Sequence, residues 1–217
     1  MENSHRHVER SRDIPLLGDS STTLGMTTLY LPTAYAPNIT YISAIAHSER
    51  IYINVEEPYL RQTFRNHCEI LTSQGVQKLS IPIDKKSTQL GMIKDVKIDY
   101  SENWQRQHWR SLQAAYNNSP YFLYYQDELN GFYEKRYGFL VDFNSELLGF
   151  LLRKMQIEFR CEVASTSLSH RSLSGVETIS YQPYQQVFNN QTFVENLSSF
   201  DLLFNCGPES KSYLCKV

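Results

Sequence analysis

The chain has few cysteines and no cysteine pair: Cys68, Cys161, Cys206 and Cys215 are scattered over 217 residues without a CxxC step. That spacing argues against a disulfide framework, and free thiols are expected. Long apolar runs are lacking too, so no segment approaches the roughly 20 residues of a membrane-spanning helix. The opening stretch Met1–Arg12 is polar and charged where a secretory signal would be apolar, and a cytoplasmic location is expected. Nor is there an excess of charge of either sign. With 21 basic and 23 acidic residues the formal net charge is −2, which argues against a general nucleic-acid binder. The chain contains no glycine-rich phosphate loop and no His and carboxylate spacing of a zinc site, so nothing calls for a nucleotide cofactor or a metal.

What is present is a core. A 41% hydrophobic, 13% aromatic chain of this length can bury one domain's interior, and residues 25–217 are assigned to a single domain. Residues 1–24, rich in Ser, Arg, His and Asp, cannot offset the entropy of ordering their backbone and read as a loose tail, its His5 and His7 incidental. Thr27–Leu31 is β-branched and aromatic, ends at Pro32 and predicts a strand. Ile39, Ile42, Ile45 and Ala46 recur at helical spacing after Pro37, and Arg50–Val55 alternates as a strand. Cys68–Leu71 and Lys78–Ile83, separated by Ser73-Gln74-Gly75, predict a hairpin.

Further on, Val96–Tyr100 alternates. Trp104, His108, Leu112, Ala115 and Tyr116 then form a helical stripe capped by Ser101 or Asn103, and Phe139–Met155 is strongly amphipathic. Ile157–Val163 predicts a last strand. Phe193–Phe204 predicts a last helix, stopped at Cys206-Gly207-Pro208. The fold class is α/β or α+β, a mixed sheet flanked by helices.

Gln62, Arg65, Asn66 and His67 stand within six positions ahead of a strand. Arg offers a forked donor for carboxylate or phosphate, Asn and Gln offer amides for an oxyanion, and His moves a proton near neutral pH. The alternative is a solvated strand entrance with a structural Arg. His108, on the apolar face of its helix, fits a general base or a hydrogen-bonded core histidine. Tyr35, Tyr41, Tyr59 and Tyr116, with Trp104 on the His108 stripe, supply aromatic walls suited to a sugar face. Asp142 and Asn144, at the start of the amphipathic helix, are placed either to orient a base or to cap the helix, and the cap is the favoured reading. Cys68 is set aside as a nucleophile because neighbouring residues of a strand face opposite ways and it could not share a proton with His67.

Several blocks resemble the WbqC-like family in order: Leu31–Asn38 with Tyr41, Tyr59–Cys68, Gly75–Pro82, Asn103-Trp104 with His108, Ala115–Phe122 and Leu202–Glu209. The resemblance spans about residues 27–209. It implies a place in surface-polysaccharide (O-antigen or capsule) biosynthesis and suggests a glycyl or aminoacyl transferase acting on a sugar amine or hydroxyl. On that reading His108 or His67 is the base, and Arg65, Asn66 and Gln62 hold the donor carboxyl or oxyanion. The partners would be a sugar or nucleotide-sugar acceptor and an activated amino-acid donor, aminoacyl-tRNA being the one nucleic acid admitted.

A non-catalytic sugar-nucleotide-binding or scaffold protein is the alternative, and a nucleotidyl or adenylate-forming transferase the third reading. The N-terminal strand-loop-helix-strand unit resembles nucleotidyltransferase-like sheets, which bind ligands beyond the carboxyl ends of their strands. The histidine pair those enzymes carry in that loop is absent between Pro32 and Tyr41.

Overall fold

The computed structural model describes residues 28–61, 63–158, 161–164, 182–188 and 192–214. The expected tail with His5 and His7, and the candidate Gln62, lie outside them. The N-terminal unit folds as expected: β1 (Thr28–Pro32), α1 (Ile39–Ala46) and β2 (Arg50–Asn54) make a parallel β-α-β crossover. Asn38 caps α1 by accepting from the Tyr41 amide, which satisfies one of the orphan donors of a helix start. Ile39, Ile42 and Ile45 are fully buried, so α1 lies deep in the core. Ile51 and Ile53 bury alternate positions of β2, the period of a strand covered on one face.

β3 (His67–Thr72) and β4 (Gly75–Ser80) form the antiparallel hairpin. Gly75 opens β4 at φ +106°, a conformation that suits glycine. Two helices come next, α2 (Trp104–Tyr116) and α3 (Phe122–Glu134), and then α4 (Leu140–Lys154). β5 (Cys161–Ala164) pairs parallel with β2, giving a three-stranded sheet of order β1-β2-β5 beside the two-stranded hairpin. The chain closes with α5 (Ser199–Cys206) and α6 (Ser210–Leu214). Parallel and antiparallel strands thus occupy two small sheets within one α/β domain. No helix of the described residues is long and apolar enough to cross a membrane.

Four elements differ from expectation, one of them α6, which lies past the stop expected at Cys206-Gly207-Pro208. Val96–Tyr100 is no strand but carries single bridges, Lys97 to Phe139 and Ile98 to Ile83. Its backbone bonds alternate between residues 82–84 and residues 138–140, and neither neighbour is long enough to extend a ladder. The helix expected over Phe193–Phe204 is α5 and starts at Ser199, because Asn196 turns the chain at φ +56° and Ser198 caps it; Phe193 and Leu197 precede it. Helix α3 was not anticipated: exposed Leu123 and Tyr124 stand beside its buried Phe122, Tyr125, Leu129 and Tyr133 and blur the apolar stripe.

Candidate functional site

Beyond the carboxyl end of β1 lies a cleft of about 480 Å³, a volume in the range of small-molecule sites. Its floor is Pro32, Thr33 and Ala34, one side is Pro37, Asn38, Thr40 and Tyr41 at the start of α1, and the other is Thr63, Phe64 and Arg65. Asn196 completes the lining from the segment before α5. That is where a parallel α/β sheet exposes the ends of its strands to ligand.

The walls are tied to one another. The Tyr35 amide donates to the Phe64 carbonyl at 2.9 Å, and the Ile39 amide to the Leu197 carbonyl at 3.0 Å. Asn196 Oδ1 accepts from both the Thr40 amide and the Thr40 hydroxyl, at 3.1 and 2.7 Å. Ala36, buried in the floor loop and followed by Pro37, sits at φ +38°. An alanine in that region costs about 1–3 kcal/mol and persists where its surroundings impose it, commonly at functional sites.

Charge in the cleft is balanced internally. Arg65 reaches Glu57 with both prongs, Nε to Oε1 at 2.8 Å and Nη2 to Oε2 at 2.6 Å, and its Nη1 donates to Thr63 Oγ1 at 3.2 Å. Both side chains of this pair are 11% exposed. The fork expected to grip a donor carboxyl is therefore engaged by a protein carboxylate.

Of the residues singled out in the sequence, Tyr41 and Arg65 line the cleft. Tyr41 donates its hydroxyl to the Pro32 carbonyl at 2.7 Å. His108 is buried in an aromatic nest, its Nδ1 3.0 Å from the Tyr35 hydroxyl, which is itself 2.9 Å from the Tyr133 hydroxyl. Burial pushes the imidazole down to about 4, opposed by a hydrogen bond to the Ser80 backbone. Trp104 packs edge-on against that ring and against Phe143. Tyr116, fully buried, donates to Asp201 Oδ1 at 2.9 Å, while the Tyr184 hydroxyl and the Gln186 amide serve Oδ2 at 2.6 and 3.1 Å. Three donors satisfy that buried carboxyl, whose pKa burial raises.

His67 is buried at the start of β3 beside the Phe64 ring, and burial first, then Lys78, lowers its pKa. Asn66 donates to the Ile81 carbonyl. Neither Asn66, His67 nor Tyr59 lines the cleft. Cys68 is buried, and burial raises its thiol far above the ordinary range, so it holds its proton. Asp142 sits in the first turn of α4, but Asn144 is no cap: it is 1% exposed and reaches across to Thr33 and to the Arg65 carbonyl. Among the described residues no three His, Cys, Asp or Glu side chains gather as metal ligands.

Thr33, Asn38, Thr40, Thr63, Phe64 and Asn196 were not anticipated as site residues. The signal for Thr33 was the loop bracketed by Pro32 and Pro37 directly after a strand, and for Asn38 its place between that loop and the helix it caps. Asn196 offered none, because it reaches the cleft only through the tertiary fold.

The class so defined is an α/β domain with a crevice of mixed apolar and neutral polar lining beyond its first parallel strand. The chain belongs to the WbqC-like protein family, whose profile matches residues 33–180 and 169–213. A curated relative is the uncharacterized protein Rv1507c of Mycobacterium tuberculosis (strain ATCC 25618 / H37Rv), 26% identical over 220 residues that span 83% of this chain and 94% of the relative. No solved structure matches the chain.

Proposed function

We propose that the protein recognises a sugar unit, free or nucleotide-linked, in the cleft beyond β1, and serves surface-polysaccharide assembly in that role. The observation that carries this reading is the lining: hydroxyls and amides from Thr33, Asn38, Thr40, Thr63 and Asn196, apolar floor from Pro32 and Ala34, and Phe64 at the rim, 44% exposed. A sugar presents a ring of hydroxyls and apolar C–H faces, which such a mixture of polar tips and flat walls complements. The internal Arg65–Glu57 pairing leaves the cleft without a strong field of either sign. The pathway rests on the family resemblance.

Recognition is favoured over aminoacyl transfer by the histidines. A general base must come within hydrogen-bond reach of the proton it takes, and neither His67 nor His108 lines the cleft.

Calorimetric titration with UDP-linked and dTDP-linked sugars tests the reading. Wild-type protein is expected to bind, and Phe64→Ala to bind about tenfold more weakly, about 1.4 kcal/mol. Its melting temperature should hardly move, since Phe64 is half exposed already. Absence of binding throughout the panel, or full affinity in Phe64→Ala, would sink it.

A further inference from the structure

Asn144 on α4 ties the cleft together from below. Its amide nitrogen donates to the Arg65 carbonyl at 2.8 Å and to Thr33 Oγ1 at 3.2 Å. A backbone carbonyl can only accept, so the nitrogen and not the oxygen of the Asn144 amide must face it. The orientation is thereby fixed, and the second N–H falls on the Thr33 hydroxyl. That hydroxyl is an acceptor toward Asn144, and its own proton must be given elsewhere. Among the described residues it has no other partner, and Thr33 stands in the cleft floor.

Asn38 and Arg65 share this polarity, while Thr40, Thr63 and Asn196 present neutral acceptor oxygens. Asn38 spends its Oδ1 on the Tyr41 amide, which leaves its NH₂ to offer. Arg65 has only N–H to give. The nearby carboxylate, Glu57, has both oxygens on Arg65, so among the described residues no free carboxylate lines the cleft. Thr40, its proton given to Asn196, is a neutral acceptor.

We infer that Thr33 donates a hydrogen bond to a carbonyl oxygen of the ligand, its polarity set by Asn144, and that the cleft selects N-acylated sugars over those with a free amine. An amide carbonyl gives the donors an acceptor. An ammonium brings donors and a charge, and among the described residues it meets neutral acceptors but no carboxylate to neutralise it. Thr33 is thus a specificity-determining residue and Asn144 a positioning one. The inference rests on the sugar-binding reading and adds the class of sugar.

The test uses the full chain and the methyl glycosides of the gluco, galacto and manno 2-acetamido sugars, each against its free 2-amino parent at about pH 6, where the amine is protonated. Wild-type protein is expected to bind at least one N-acetyl member at least tenfold more tightly than its parent amine. Thr33→Val should lose about tenfold of that affinity and Thr33→Ser, which keeps the donor, less than about threefold. The wild-type preference and Thr33→Ser decide the matter even where Thr33→Val fails to fold. Equal or stronger binding of the amines, or full N-acetyl affinity in Thr33→Val, overturns the inference while leaving sugar binding standing. If no glycoside binds, in either form, the inference falls, and sugar recognition is then decided by the nucleotide-linked panel alone.

Discussion

His108 shows how burial decides a residue's role. Periodicity correctly placed it on the inner face of α2, but the same pattern suits a catalytic base and a core histidine, and only its partners separate the two. Those partners are Trp104 one turn earlier on α2 and, decisively, Tyr35 and Tyr133, which lie far off in sequence. Because burial holds its pKa at about 4, the folded chain binds fewer protons than the unfolded one from about pH 6.5 down to that value, and stability drops as pH falls through this window. His67 shifts in the same direction. Asp201, whose pKa is raised, acts oppositely, its stabilisation lost as pH rises. The His108 share is about 2 kcal/mol between pH 7 and pH 5. Urea unfolding at both values should show that slope in wild-type protein and a correspondingly flatter one in His108→Gln. Equal slopes would contradict the assignment. Arg65 teaches the same lesson: Glu57, eight positions earlier, takes the fork that the sequence left open for a ligand.

Elements with a clean period were legible. The β1-α1-β2 unit, the β3–β4 hairpin, α2 and α4 follow from alternation, helical spacing and one Ser-Gln-Gly turn. Failures came where context overrides local pattern, as at Val96–Tyr100 between two short neighbours and in α3 with its exposed aromatic side. Two glycines at helices make opposite predictions. Gly131 lies inside α3 with open space where a Cβ would go, so Gly131→Ala should stabilise by about 0.5–1 kcal/mol through helix propensity and a less flexible unfolded chain. Gly207 ends α5 at φ +55°, and a Cβ there would lie 2.5 Å from Tyr121 Cδ1. Gly207→Ala should therefore cost about 1–3 kcal/mol through strain and overlap. Thermal melts of the two variants check both; a destabilised Gly131→Ala would refute the open-space reading of α3.

For the whole molecule, the fold class was readable, and the analogy to sheets that bind ligands beyond their strand ends points to the place where the cleft lies, after a strand, a Pro-bracketed loop and a helix in that order. The composition of the crevice was less so. Its small polar residues carry no motif; Asn196 joins it from the segment before α5 through folding alone, and Asn144 of α4 is bonded beneath it. The conspicuous histidines and tyrosines drew attention because of their chemistry, and the structure uses Tyr35, His108 and Tyr116 to build the core. What remains at the surface is a neutral cleft whose walls are hydrogen-bonded to each other and whose floor loop holds Ala36 under strain.

The most direct measurement of sugar recognition in that cleft is an amide chemical-shift map of the labelled protein titrated with a UDP-linked N-acetyl sugar. Saturable shifts concentrated at Thr33–Tyr41, Thr63–Arg65 and Asn196 are expected. Shifts centred instead on α2 around His108, or none at all across the sugar panel, would contradict it.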